Sequence, residues 1–344
     1  MNQKILGSLL GAAVGDAMGA ATETKSSRQI QKVFGGRVEE FKTPPDDTLA
    51  HGRKAGQVTD AFSIPYILTE HLIKEKGKAS KELGERALIE WGKTEYFEPF
   101  AGMTTRNVVN RLNQNDKMDM WSYIGHLGNK LYKGHYYALS SNGAASKAYP
   151  EGLINHGDIE KAIADTVEIT MSSHDDPHSI SGACAVASAV SEAMKEDTSV
   201  YQIVKAAHYG SVKGEELARK RKDIWTYPGP SVTKRIEMAT QIVMHCGSDN
   251  VIEELSERIG SGPAVAETVP AALGIFIANQ GDTMKSIYDA VNIGDETCAI
   301  ACIVGAIAGA YNGADSIMEG YLDIIEERNQ MNLRKQAEEI EKLW

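Results

Sequence analysis

Long apolar runs, paired cysteines, excess positive charge and alternating strand patterns are all scarce in this 344-residue sequence. No stretch approaches the roughly 20 apolar residues that a membrane span requires, so no membrane partner is expected. The four cysteines, Cys184, Cys246, Cys298 and Cys302, form no CxxC pair and suggest no disulfide framework. Buried, reduced thiols in a cytoplasmic protein are the simpler reading. Lysine and arginine total 36 against 47 acids, a net charge of −11. That balance argues against nucleic acid as a partner, although an acidic surface leaves room for a local pocket that takes a phosphorylated ligand. No linker rich in Pro, Gly or Ser, no low-complexity tract and no clear repeat divides the chain. One domain over residues 1–344 is therefore the simplest organisation.

What is present is ordinary globular composition, 42% hydrophobic and 24% charged, in a chain long enough to bury a large core. Lys4 followed by the apolar run Ile5 to Val14 loosely mimics a secretory signal, but Asp16 interrupts it, so a buried helix is expected instead. Helical periodicity or strong helix formers mark residues 2–21, 59–76, 79–92, 104–114, 158–172, 178–195, 199–208, 231–246, 250–259, 266–279, 282–291, 298–312 and 315–342. The pattern predicts an all-α protein. Its segment from about 315 onward is highly charged and reads as a solvated terminal helix. Loops are marked by Gly35-Gly36, Pro44-Pro45, Gly143, Pro150, Pro228-Gly229-Pro230 and Gly262-Pro263.

Five segments carry residues with chemical potential, and each has a plainer structural reading. Gly11, Gly15 and Gly19 recur every four residues and make a smooth helix face for close packing; Asp16 and Glu23, seven apart, are that segment's unusual acids. Thr59 and Asp60 open an apolar helical run. They suit a cap and a positive helix end, and their oxygens equally suit a hard cation such as Mg²⁺. Asn142-Gly143, then Ala144, Ala145, Ser146 and Lys147, read as a polar loop that permits positive φ and can aim N–H groups at phosphate oxygens. His174 and His178 flank two aspartates and a proline; with no obvious further ligands, a capped helix start is the commoner explanation than a zinc site. Asp295, Glu296 and Thr297 stand at a glycine break before a small-residue helix carrying Gly305 and Gly309.

In this order, the segments resemble the ADP-ribosylglycohydrolase family. Gly15-Asp16, Gly19 and Glu23 match its first helix, and Thr59-Asp60-Ala61-Phe62 matches its TDDT element. Asn142 to Lys147 with Pro150 match its NGA loop, Ser173-His174 its TH element, and Gly294 to Thr297 with Gly305 to Ala310 its last acidic motif. Residues 266–276 also look like the helix that precedes that motif, and the resemblance spans residues 5–313. It implies a single compact orthogonal helical bundle and a site for Mg²⁺ or Mn²⁺, one or two ions. Carried over by residue, it implies Thr59, Asp60, Asp295, Glu296 and Thr297 as metal ligands. Glu23 and Asp60 become the catalytic acids, and Asn142, Gly143, Ala144, Ser146 and His174 line the substrate site.

The departures bear on activity. The second acid of TDD is Ala61, the loop arginine is Lys147, and the last motif has two registers. Anchored on the GAIAGA tail, the family aspartates fall on Glu296 and Cys298; anchored on Gly294, Asp295 and Thr297 are better placed. The second register offers only hard oxygens and is preferred for Mg²⁺. Ala61 is compatible with natural loss or with an introduced inactivating change, which codon 61 of the source gene decides. The function implied is hydrolysis of a ribosyl glycosidic bond, foremost of an ADP-ribosyl group, free or on a protein. Two alternatives stand beside it: a hydrolase for a smaller ribosyl or nucleoside N-glycoside, and a catalytically impaired binding or structural relative.

Overall fold

The structure is a computed structural model and describes residues 2–113, 140–224, 226, 228–246 and 250–344. Along the chain run α1 (Gln3–Gly19), α2 (Ser27–Phe34), α3 (Asp60–Lys74), α4 (Lys81–Trp91), α5 (Phe97–Phe100) and α6 (Met103–Leu112). After the described residues resume come α7 (Gly143–Ser146), α8 (Tyr149–Ile154), α9 (Ile159–Thr170), α10 (Pro177–Ala193), α11 (Val200–Lys220) and α12 (Val232–His245). The last third holds α13 (Val251–Arg258), α14 (Val265–Ala278), α15 (Thr283–Asn292), α16 (Thr297–Asn312), α17 (Tyr321–Asn329) and α18 (Leu333–Glu341). Among the described residues there is no strand, only the isolated bridges Ser26–Gly294 and Ser141–Ala264. None of the described helices is long and apolar enough to cross a membrane.

Local chemistry sets many of the helix starts. The Asn2 side chain accepts from the N–H groups of Lys4 and Ile5, and Ser26 with Gln29 closes a capping box on α2. Asp158, Asp176, Ser199, Ser231 and Asp282 cap later helices in the same way, each satisfying a donor that the helix cannot pair internally.

Two helices at the centre are buried nearly all round. From Ile5 to Gly19 every residue of α1 is buried, and from Thr297 to Ala310 every residue of α16. Such helices have no polar face and belong in a core. They pack antiparallel through their small residues. A methyl placed on Gly7 would stand 2.3 Å from the Gly309 carbonyl oxygen, on Gly11 2.2 Å from that of Gly305, and on Gly15 2.1 Å from that of Ala301. Gly19 rests on the Cα of Cys298. Backbone therefore lies directly on backbone, and the C-terminus of α1 is brought to the N-terminus of α16. A third fully buried helix, α10, receives α11 through Gly210 and Gly214, which sit on Ser188 and Cys184.

The predicted helices are present, with differences at their edges. The predicted 199–208 helix runs on to Lys220, because Gly210 and Gly214 serve as packing contacts rather than as breaks. The expected terminal helix over 315–342 is instead a short 3₁₀ turn at Ala314–Ser316 and two helices, broken where Gln330 turns left-handed at φ 52°. That segment is not simply solvated: Ile325, Leu333, Ala337 and Ile340 are buried in the main core. Pro65 and Pro270 lie inside α3 and α14 without ending them. The last residue of the predicted 104–114 helix lies outside the described residues.

Candidate active site

The site forms where the end of α1 meets the beginnings of α3 and α16. Asp16, fully buried on α1, accepts the backbone N–H of Thr59 at 2.7 Å, its hydroxyl at 2.6 Å and the N–H of Phe62 at 3.1 Å. The carboxylate thus caps α3 from another helix, and Thr59 adds its own bond to the Ala61 N–H. The sequence singles out Asp16 only as an unusual acid, yet it fixes the position of its neighbours Thr59 and Asp60.

Around this clamp gather further acids. Burial, then the charges of Glu296, Asp60 and Asp16, hold the Glu23 carboxyl well above the usual carboxylate range. Burial, then Asp16 and Glu296, push Asp60 up to about 8. Burial raises Asp16 to about 6 against the pull of its hydrogen bonds, and burial raises Glu296. Burial is the largest influence on all four; neighbouring acids add to it at Glu23 and Asp60, and Asp295 adds to it at Glu296. The positive ends of α3 and α16 stand among these acids and offset part of that repulsion.

The thiol of Cys298 stands inside the cluster, within hydrogen-bonding reach of Asp16, Glu23 and Thr59. Burial and the surrounding carboxylates push that thiol far up, so it stays protonated. The register anchored on the GAIAGA tail is therefore the one that faces inward: Glu296 and Cys298 join Asp60. The preferred register is corrected at two positions. Asp295 is exposed, takes the left-handed conformation at φ 60°, and has Glu267 as its charged neighbour instead of Asp60. Thr297 is fully buried with its hydroxyl spent on the Gly19 carbonyl at 3.0 Å and on Thr22. The reason is helical geometry: Glu296 precedes the first turn of α16, and Cys298, on the side facing Gly19, is the next residue to point back along α1.

The segment after Ser140 also departs from expectation. Asn142 has a right-handed backbone, φ −62°, and α7 consumes amides in a tight turn: Ala145 and Ser146 N–H groups bond to the Asn142 carbonyl. Ala144 and Ser146 are buried. The loop is thus no open cradle of free N–H groups, and Ala144 and Ser146 turn away from the acids. Asn142 does reach them, donating to Glu296 at 3.0 Å, while its own N–H is held by the Pro263 carbonyl. Gly143 lies under the His174 ring, 3.8 Å away for a methyl placed there. His174 is buried behind the loop, bonded to the Ser141 hydroxyl at 2.8 Å and to the Ser173 hydroxyl at 2.8 Å, and burial keeps it neutral. Lys147, at the position of the family's arginine, is likewise buried and bonded to Ser173.

Asp295 lines a cleft of about 930 Å³ together with Thr24, Lys25, Arg28 and Ser261. Two left-handed residues of its lining, Thr24 and Asp295, join the two segments by backbone bonds: Thr24 N–H to Asp295 C=O, and Asp295 N–H to Lys25 C=O, both at 2.9 Å. Glu23 immediately precedes Thr24, and Glu296 immediately follows Asp295.

The donor types, the carboxyls of Glu23, Asp60 and Glu296 and the Thr59 hydroxyl, are those a hard cation takes, although as placed these three carboxyls do not stand at ligand spacing. They suit a two-ion centre less well. Ala61 offers only a methyl, Cys298 offers sulfur, and among the described residues no three His, Cys, Asp or Glu side chains stand together at ligand spacing.

Fold and site together define an all-helical protein in which buried and half-buried acids near three helix ends feel one another's charge. The family model described as ADP-ribosylglycohydrolase matches residues 1–344, and the chain belongs to this family of glycohydrolases. It is 25% identical to the Escherichia coli K12 protein YegU, over 97% of this chain and 95% of that one. It is 23% identical to the human ADP-ribosylhydrolase ARH3, over 92% and 87%. A solved structure, an ADP-ribosylglycohydrolase-related protein complex, superposes with a TM-score of 0.66 at 19% identity, covering 99% of this chain and 98% of that chain. That likeness concerns the fold.

Proposed function

We propose that this protein hydrolyses a ribosyl glycosidic bond, with an ADP-ribosyl group, free or on a protein, as its substrate. The observation that carries the reading is the electrostatic crowding of the carboxyls Glu23, Asp60 and Glu296, with Asp16 holding the backbone next to Asp60 and Asn142 bonded to Glu296. Acids pressed together in this way are suited to gripping a sugar diol and moving a proton at its anomeric carbon. Mg²⁺ or Mn²⁺, held by Asp60, Glu296 and Thr59, would supply Lewis acidity and orient the ribose hydroxyls. Glu23 orients the attacking water and takes its proton. Asp16 holds the backbone that carries Asp60, and Asn142 fixes the rotamer of Glu296. The cytoplasm is the setting that four unpaired thiols fit best.

One observation favours a smaller ribosyl or nucleoside substrate: Lys147 is tied to Ser173 and cannot grip a diphosphate as an arginine fork would. A panel comparing ADP-ribosyl-arginine, ADP-ribosyl-serine, an O-acyl ADP-ribose and plain nucleosides, each with and without Mg²⁺, separates the readings. Mg²⁺-dependent release of ADP-ribose supports the first; nucleoside cleavage alone supports the second; no turnover with ADP-ribose still bound leaves an impaired binding relative.

A further inference from the structure

Lys147 is tied up behind the loop and touches no ligand itself, but a chain of hydrogen bonds runs forward from it to Ser141. Ser141 is firmly placed. The Val265 N–H donates to the Ser140 carbonyl at 2.9 Å and the Asn142 N–H to the Pro263 carbonyl at 2.8 Å, so the backbone on either side of Ser141 is pinned to the start of α14. The next side chain, Asn142, donates to Glu296 at 3.0 Å and sets Ser141 beside the acids. Ser141 is half-buried, and Gly143 puts no side chain over it: a methyl placed there would rest 3.8 Å from both the Ser141 hydroxyl oxygen and the His174 ring, at ordinary contact distance.

The chain behind Ser141 has a direction. Burial lowers Lys147 to about 8, which leaves it protonated at neutral pH, and a charged amine has donors only. Lys147 donates to the Ser173 hydroxyl and lies 3.5 Å from Nδ1 of His174. With its oxygen serving Lys147, the Ser173 hydroxyl gives its own proton to Nδ1 at 2.8 Å. Nδ1 is therefore the bare nitrogen of a neutral ring, and Nε2 carries the proton. Nε2 then donates to the Ser141 oxygen at 2.8 Å. The Ser141 hydroxyl accepts from behind and keeps a proton to give, and among the described residues His174 is its one hydrogen-bonding partner. A donor chain that starts on an ammonium group polarises its last O–H toward an acceptor that bears negative charge. An ADP-ribosyl substrate carries its negative charge on the diphosphate.

We propose that the Ser141 hydroxyl donates to a phosphoryl oxygen of the substrate, with Lys147 as a positioning residue that fixes the direction of that donor through Ser173 and His174. The assignment rests on the ribosyl-hydrolase reading for its substrate, while its chemistry is that of any phosphoryl anion. Nitrogen-15 NMR of the His174 ring reads the direction of the chain with no ligand present. A proton on Nε2 is expected in the wild type, and a mixture of both tautomers in Lys147→Met. Calorimetric titration of inorganic pyrophosphate, and separately of ADP-ribose, into the full chain without divalent cation reads the contact. Ser141→Ala should bind both ligands about tenfold more weakly, the usual worth of a hydrogen bond to a charged acceptor. Gly143→Ala should weaken them about as much while melting level with or above the wild type, because its methyl covers the hydroxyl and alanine suits that backbone. Gly143→Ala decides the matter if Ser141→Ala does not fold. A wild-type ring protonated on Nδ1, an unchanged ring in Lys147→Met, wild-type pyrophosphate affinity in either folded loop variant, or no pyrophosphate binding by wild type overturns the proposal. Pyrophosphate binding that depends on Ser141 in a protein that cleaves no ADP-ribosyl substrate overturns the proposed function instead and leaves this assignment standing.

Discussion

The carboxylate of Asp16 on α1 accepts both the backbone N–H and the hydroxyl of Thr59, forty-three residues further along the chain, at 2.7 and 2.6 Å. The bond pair sets where α3 begins, and so where Asp60 sits. Asp16→Ala removes this pair and the bond from the Phe62 N–H, leaves three buried donors unpaired, and should cost about 2–4 kcal/mol of stability or more. Asp16→Asn keeps one acceptor oxygen and should cost less. Chemical denaturation of both variants checks the order; equal stabilities would show that the clamp does not hold α3.

The Glu23 side chain caps no helix and has the Cys298 thiol as its hydrogen-bonding neighbour, so its removal should separate activity from folding. Glu23→Gln should lower turnover about 10²–10⁴-fold, the usual contribution of a positioned acid or base. Its melting temperature should stay level or rise, because one of the crowded acids becomes neutral. Steady-state kinetics beside a thermal melt tests this. A variant with wild-type turnover rules Glu23 out of the chemistry.

Burial lifts Asp16 to about 6, and burial with the charges of Asp16 and Glu296 lifts Asp60 to about 8. Above about pH 4 the unfolded chain has released these protons while the native state retains them. The retained protons stabilise the fold at low pH, and that stability is lost as pH rises through the native values. With a chelator present, the melting temperature should therefore fall between about pH 4 and 8 from this cluster. Mg²⁺ should restore it at the upper end. A melting temperature that rises across that window in chelator, in the wild type relative to Glu23→Gln, contradicts the crowding.

Ala61 sits one residue beyond Asp60, 5% exposed, with its carbonyl accepting from the Cys302 thiol at 3.3 Å. Ala61→Asp adds an oxygen donor beside Asp60. It should tighten Mn²⁺ binding about tenfold or more, and should lower the melting temperature when no cation is present, since a further buried acid is then uncompensated. Mn²⁺ titration followed by electron paramagnetic resonance reads the affinity; no change places position 61 outside the cation's reach.

Much of the fold was legible from residue spacing, and the exceptions have physical causes. The Gly11-Gly15-Gly19 stripe announced a close helix contact, but only tertiary structure shows that Gly305, Ala301 and Cys298 are its partners and that Gly7 extends it onto Gly309. In Gly305→Ala the new methyl would meet the Gly11 carbonyl at 2.1 Å. A loss of more than about 4 kcal/mol, or failure to fold, is expected. Thr59, Asp60, Glu23 and Glu296 were legible as oxygen donors at helix ends. Asp295 was misplaced because chemical hardness favoured it, whereas the left-handed turn at φ 60° swings its carboxylate outward. The Asn142 segment and His174 were taken for ligand contacts, yet burial turned Ala144, Ser146 and His174 into supports.

The claim on which the account turns is that acids from three helix ends act together on a ribosyl bond. The most direct measurement is a time course of ADP-ribose release from an ADP-ribosyl substrate in Mg²⁺, run in parallel on wild type, Glu23→Gln and Asp60→Asn. Release by the wild type, abolished by chelator and reduced about a hundredfold or more in both variants, is the predicted result. Release that proceeds equally in all three proteins would contradict it.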